Sequence, residues 1–270
     1  MKWIAIAILL IGIVLCAGCV STQQSTPGTS TPTATLATMK ITPNLIGVWS
    51  GNAIGHSKAE GFSNYFPVLF NISDQKGPAF SGRKEYLRGD GKAYYENFSG
   101  IITQNGEIYE SDEGAGFGIG KITGPDSIEI NYLEEGPDTK AYLDYLTRQK
   151  TTSPVPVTTT IPDVIGIWTG MTYGHSQTEG FRQHDRSRYN ISKQEGYAFS
   201  GSKEYIRGDG KTYYENFSGI ISNSGEISMA DNPRGYNFGK LTGNDTMELN
   251  YVEDGPEAKT YLSLFARQKS

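Results

Sequence analysis

From Ile46 onward the chain alternates apolar and polar residues with a period of two, in short runs broken by Gly, Pro, Asn and Asp. That period belongs to half-buried β-strands. It predicts eight of them, over 46–54, 66–74, 78–87, 92–103, 107–112, 116–123, 127–134 and 141–149, the last of which also reads as a helix. Gln75-Lys76-Gly77, Gly89-Asp90-Gly91 and Gln104-Asn105-Gly106 each end in Gly, as three-residue hairpin loops with a left-handed last position do. Gly124-Pro125-Asp126 supplies a fourth turn of different chemistry. Tight turns without a long crossover make successive strands neighbours. Closing the eighth strand onto the first then removes both exposed edges.

The turns set a register. Tyr86 falls opposite Tyr94, Lys84 opposite Glu96, Gly82 opposite Phe98, Ile72 opposite Phe80 and Ile102 opposite Ile108. One inward face therefore carries Phe70, Ile72, Phe80, Lys84, Tyr86, Tyr94, Glu96, Phe98, Ile102 and Ile108. Strand six departs from this pattern: its glycines Gly116, Gly118 and Gly120 fall inward while Phe117 and Ile119 fall outward. Either a bulge or an outer contact accounts for that.

The whole pattern occurs twice. Residues 45–150 align without a gap on 164–269, and 58 of the 106 positions are identical. The expected fold is all-β: two tandem eight-stranded up-and-down antiparallel β-barrels, over 44–150 and 163–270. A unit of this length can hold its own core, so each is expected to fold alone.

Gly47-x-Trp49 on the first strand and Arg148 on the last, repeated as Gly166-x-Trp168 and Arg267, resemble the calycin signature of lipocalins, fatty-acid-binding proteins and avidins. The resemblance covers the ends of each copy and the strand count. No second or third lipocalin motif is matched, and no avidin ligand contact. It implies that the Trp plugs one end of the barrel with the Arg across it. The opposite end would be an open mouth, formed by Gly55 to Asn64, Gly89 to Gly91, Asp112 to Ala115 and Glu134 to Lys140.

Residues 1–18 read as a targeting segment: Lys2, an apolar run from Trp3 to Val14, then Leu15-Cys16-Ala17-Gly18-Cys19. That ending resembles the lipobox of secreted lipoproteins, with Cys16 where Leu or Val is usual. It implies cleavage before Cys19 and a membrane lipid on its sulfur, with an uncleaved signal anchor as the alternative. Residues 19–43 form a Ser/Thr/Pro-rich stalk and 151–162 a Thr/Pro linker. The stalk behind such a box is similar to surface lipoproteins of methanogenic archaea. The expected location is the cell membrane, lipid-anchored and facing the exterior. With both cysteines in the leader region, disulfides, thiolate catalysis and Cys-ligated zinc are excluded from the barrels. A net charge of −5, from 24 basic and 29 acidic residues, argues against nucleic acid as a partner.

Candidate ligand-binding residues are His56, Glu60, Lys84, Tyr86, Tyr94 and Glu96, with His175, Glu179, Lys203, Tyr205, Tyr213 and Glu215 in the second copy. The repeated Gly-His-Ser-x-x-Glu-Gly-Phe, from Gly55 and from Gly174, places a His and a Glu in a mouth loop. They could serve as an acid/base pair, as ligand contacts or as half a metal site completed by Asp90, or the loop could simply pack on itself. Lys84 with Glu96, and Lys203 with Glu215, form an inward charge pair that either fixes register or anchors a polar ligand. Asn71, Asn97, Asn190, Asn216 and Asn244 begin glycosylation sequons, the first four on outward positions. Arg88-Gly89-Asp90 and Arg207-Gly208-Asp209 spell an adhesion tripeptide that is also ordinary hairpin chemistry. No composite catalytic motif occurs, and no catalytic residue, metal or cofactor is assigned. Two functions stay open. One is a non-catalytic surface lipoprotein whose barrels bind a small or medium ligand. The other is a structural or adhesive envelope module whose barrels are filled by side chains.

Overall fold

The computed structural model describes residues 42–88, 91–149, 160–207 and 209–268. The signal segment, Cys19, nearly all of the stalk, the linker up to residue 159 and the tip residues Gly89, Asp90 and Gly208 lie outside the described residues. The first copy forms β1 (Gly47–Ser57), β2 (Gly61–Lys76), β3 (Ala79–Leu87), β4 (Ala93–Ile102), β5 (Glu107–Asp112), β6 (Phe117–Gly124), β7 (Ser127–Glu134) and β8 (Lys140–Arg148). The second forms β9 (Gly166–Ser176), β10 (Gly180–Glu195), β11 (Ala198–Ile206), β12 (Thr212–Ile221), β13 (Glu226–Asn232), β14 (Tyr236–Gly243), β15 (Thr246–Glu253) and β16 (Lys259–Arg267). Each set closes in chain order into its own antiparallel barrel, β8 pairing with β1 and β16 with β9. The all-β architecture of two tandem eight-stranded barrels is therefore the fold, and Lys140–Arg148 is a strand rather than a helix.

Most of the register follows the turns. Tyr86 pairs with Tyr94, Lys84 with Glu96, Gly82 with Phe98 and Ile102 with Ile108. The loops that set these pairs close as three-residue turns, with Gly91 at φ 76° and Gly106 at φ 84°. The pairing of Ile72 with Phe80 is corrected: Ile72 faces Gly82, and Phe80 faces Gln75. The turn there is tighter, with Lys76 paired to Ala79, and a bulge between Ile72 and Asp74 absorbs one residue. Because the bulge takes up that residue, Ile72 and Phe80 both still point inward and are buried. The first hairpin is also longer than the pattern suggested. Gly55↔Ser63, His56↔Phe62 and Ser57↔Gly61 continue the ladder to a tip at residues 58–60.

One end of each barrel is sealed. Trp49 is fully buried, its indole Nε1–H donates to the Leu45 carbonyl at 2.8 Å, and the Arg148 guanidinium lies 4.2 Å over its ring. Arg148 also donates to the carbonyls of Ile46 and Asn44, tying the incoming chain under the plug. Gly47 permits this approach, since it sits at φ 136° and an added Cβ would lie 3.3 Å from the Arg148 guanidinium. Trp168, Val164 and Arg267 repeat the arrangement at 2.9 Å and 4.6 Å. Ile161, within the stretch read as linker, packs against the second core.

The barrels also share a core with each other. Leu133, Ala141 and Leu143 of β7 and β8 meet Ile220 and Ala230 of β12 and β13 in a third buried cluster. Phe117 reaches Tyr236 at 4.6 Å and Phe238 at 5.8 Å between ring centroids. This explains strand six: Phe117 faces outward because the other barrel covers it, while Gly118 and Gly120 face inward against Ile130. Lys121 with Glu226 at 2.5 Å adds a charged contact across the seam.

Each barrel has its own closed ladder and plug, but isolated halves would bare this seam. Leu143→Ala is expected to cost about 2–5 kcal/mol and to split a single calorimetric unfolding peak of the two-barrel body into two. An unchanged single peak would show that the seam does not couple the barrels.

Candidate functional site

Inside the first barrel, β3 turns Lys84 inward at mid-height, where it is almost completely buried. Its nearest acid is Asp112 on β5, with Glu110 and Glu96 each at 3.8 Å. The expected Lys84–Glu96 pair is present, as one contact of a larger cluster led by Asp112. Glu96 sits higher, partly exposed, and accepts from the Tyr86 hydroxyl at 3.1 Å. In the second barrel Lys203 meets Asp231 at 2.5 Å and Glu215 at 2.8 Å, and Tyr205 donates to Glu215 at 2.5 Å. Each ammonium also lies against a tyrosine face, Lys84 4.2 Å over Tyr132 and Lys203 4.3 Å over Tyr251. Asp112 was within reach of the sequence, since extending the predicted β4–β5 register past Ile108 puts it inward opposite Phe98.

The tyrosines expected toward the mouth are there. Tyr86 stacks on Tyr94 and Tyr205 on Tyr213, with Arg88 and Arg207 lying 4.1 and 4.2 Å over the outer ring of each pair. In the second copy this engages the adhesion-like tripeptide, because Tyr213 donates to Asp209 at 3.1 Å. Glu60 and Glu179 stand at the mouths, Glu60 receiving the Tyr65 hydroxyl.

His56 and His175 do not join them. They lie on strands rather than loops, and alternation turns them to the outer wall, each edge-on to a phenylalanine: Phe62 at 4.7 Å and Phe181 at 4.8 Å. His56 Nδ1 is 2.8 Å from Ser218 Oγ across the seam. Burial, then Lys193, holds its imidazole below the usual range. Of the readings open for this segment, packing is the one this geometry fits: His56 lies on the outer wall, apart from Glu60 at the mouth. No cluster of three or more metal-ligating side chains occurs among the described residues. Of the sequons, Asn71, Asn97, Asn216 and Asn244 are exposed and Asn190 is half-buried. The Asn97 amide donates to Glu113 at 2.7 Å, and Asn216 lines the groove between the barrels.

The two interiors differ in volume. The first has about 60 Å³ beneath its mouth and the second about 290 Å³. Tyr65 plugs the first, its ring 5.2 Å from Tyr142 and 6.0 Å from Tyr86. His184 takes that position in the second barrel, packed on Tyr261 at 5.6 Å. Below it, Ala53, Val68 and Asp144 become Thr172, Ser187 and Ser263. The Thr172 hydroxyl is 2.9 Å from both serines. Lower still, Glu110 and Gly118 become Met229 and Asn237, and Phe70 becomes Tyr189. Asn237 donates to Asp231 and accepts from Tyr189, both at 3.1 Å. Apart from Phe70 and Gly118, already placed on the inward face, none of these residues was singled out from the sequence. The signal available was divergence between copies at inward positions, together with a third histidine that only the second copy has.

The acids respond to this burial. Burial, offset in part by Lys84 and reinforced by neighbouring acids, raises Glu110, Asp112 and Asp144 to about 7. One ammonium cannot hold them all ionised. Asp231, also raised chiefly by burial, reaches only about 6, because the Lys203 charge and hydrogen bonds from Lys203 and Asn237 favour its ionised form. Burial alone would lower both lysines, but the carboxylates outweigh it and keep them charged.

No family model matches the chain, and no curated protein matches it in sequence. Among solved structures it is similar to a protein of unknown function from the DUF3598 family of Nostoc punctiforme, at 12% identity over 83% of this chain and 96% of that one, with TM-score 0.36. It is also similar to isotype 1 transferrin binding protein B of serogroup B Neisseria meningitidis, at 9% identity with TM-score 0.30. That match covers 77% of this chain and 53% of the other, so the chain spans about half that protein's length.

The raised acids fix a pH dependence. They keep their protons to higher pH folded than unfolded, where carboxyls titrate near ~4. The folded state therefore binds more protons in between, and stability falls as pH rises toward about 7, then levels off. The urea midpoint should be higher at pH 5 than at pH 8. Lys84→Met should cost about 3–5 kcal/mol at pH 8 and much less at pH 5, where the acids are already neutral. An equal loss at both values would refute the shared charge.

Proposed function

We propose that this is a non-catalytic binding protein, held outside the cell on a stalk lipidated at Cys19, whose second barrel takes a small polar ligand while the first is a side-chain-filled partner. The observation that carries this reading is the difference in interior volume, about 290 against about 60 Å³, between two barrels of the same backbone. An eight-stranded barrel is just wide enough for side chains to fill it, so an unfilled one reflects specific small residues.

The lining favours a neutral ligand rich in hydroxyls with at least one apolar face, a mono- or disaccharide in chemical class. Thr172, Ser187 and Ser263 offer hydroxyls, while Tyr189 beneath them and Tyr205, Tyr213, Tyr251 and Tyr261 elsewhere in the lining offer ring faces. The charges are already engaged with one another, Lys203 with Asp231 and Glu215, and Lys259 with Glu253 at 3.1 Å. A bound ion would have to break such pairs, whereas a neutral polyol can add hydrogen bonds to them. The same engagement supports holding a ligand over moving protons through it.

Isothermal titration of the two-barrel body against a panel of mono- and disaccharides tests the proposal. One equivalent should bind per chain. Ser187→Leu, which fills the cavity, should weaken uptake at least tenfold, while Val68→Leu in the first barrel should leave it unchanged. Two equivalents per chain, no saccharide bound, or indifference to Ser187→Leu would each overturn it.

A further inference from the structure

The seam between the barrels joins two different faces. The first barrel contributes the face centred on β8, and the second the face centred on β12. These are the eighth and the fourth strands of their barrels, half the circumference apart in a closed ring of eight. Since the copies share one fold, each barrel also carries the face that the other uses. The second barrel's eighth-strand face and the first barrel's fourth-strand face are both left at the surface.

The surplus faces keep several of the features that make the seam; the aromatic contact of Phe117 with Tyr236 is not among them, since these two hold equivalent positions and are already engaged with each other. On the second barrel, Val252 and Leu262 replace the fully buried Leu133 and Leu143, yet are 38% and 37% exposed. Phe181, the counterpart of the half-buried Phe62, is 87% exposed. On the first barrel, Ile101 replaces the buried Ile220 and is 51% exposed, with Tyr109 beside it at 40%. A groove of about 590 Å³ runs past both of them, between β2 and β5. The polar contacts are duplicated as well. Lys121 with Glu226 has its counterpart in Lys240 with Glu107, and His56 with Ser218 in His175 with Ser99, all four on the surplus faces.

We infer that these faces bind a second copy of this chain, head to tail, with the second barrel of one molecule docking on the first barrel of the next as the two barrels dock within a chain. A contact between unlike faces that does not close on itself propagates. The product is an open row of barrels, with internal and intermolecular seams alternating.

Sedimentation of the two-barrel body, residues 40–270, which form one compact unit, tests this. The mass of the wild type should rise with concentration beyond the dimer. Every contact needs one face of each kind, so Leu262→Asp alone and Ile101→Asp alone should each remain monomeric. Mixed in equal amounts, they should form a heterodimer and nothing larger, since each retains the face that the other lost. Both substitutions fall on exposed positions, and unchanged melting temperatures would show that the fold is kept. A wild type that stays monomeric or stops at the dimer, a single variant that still associates with itself, or a mixture that stays monomeric would overturn the inference.

Discussion

Closing eight strands into a ring sets an interior whose width matches the side chains pointing into it. Everything distinctive about this protein follows from how that narrow space is filled. In the first barrel, Tyr65 leans on Tyr142 and Tyr86 and shuts the mouth. In the second, the shorter His184, with Thr172, Ser187 and Ser263 beneath it, leaves an opening of about 290 Å³. The backbone hardly changes between them. A few inward positions decide how fully the same fold is filled, and Ser187 and Ser263, in place of Val68 and Asp144, line the opening with hydroxyls.

The lysine at mid-height adds a second constraint. An ammonium so deep in the barrel must be matched by negative charge, and the two copies match it differently. The first surrounds Lys84 with Asp112, Glu110, Asp144 and Glu96, more acids than one cation can satisfy, so protons make up the difference. The second keeps Asp231 and Glu215 and replaces the remainder with Met229, Ser263 and the neutral Asn237–Tyr189 link. One substitution, Ser263 in place of Asp144, both removes an acid and gains volume, so the roomier barrel is also the electrostatically quieter one.

Much of the architecture was legible in the chain. Period-two alternation located all eight strands of a copy, and Gly-ended loops fixed the β3–β4 and β4–β5 registers, because a hairpin's loop length dictates its pairing. The β2–β3 pairing escaped, since a bulge near Ser73 leaves no mark on the alternation. The site was legible only in part. Lys84 and the stacked tyrosines lie on strands whose register was known, whereas Asp144 lies on β8, where helix and strand readings competed. His56 was misplaced because the first hairpin extends to a tip at 58–60, turning a supposed mouth residue onto the outer wall. Contacts with the other barrel, such as that of Phe117, depend on how whole barrels dock, and no local period encodes that.

Duplication of a barrel ordinarily offers two ways of packing the copies. A two-fold arrangement would bury the same face of each and leave neither over. The arrangement here buries unlike faces, so one of each remains. Some residues on the internal and surplus versions of these faces differ in polarity, although Tyr109 and Leu264 at the surface correspond to Ser228 and Tyr145. Ala141 and Ala230, fully buried inside the seam, correspond to Thr260 and Ser111 at the surface, and Leu133 corresponds to the smaller Val252. A permanent contact can be dry and apolar throughout, while a face that spends time in water must carry polar atoms among its apolar ones. Hydroxyls on the surplus faces, alongside retained Leu262, Phe181 and Ile101, are the composition of a contact that forms and releases rather than one that was simply abandoned.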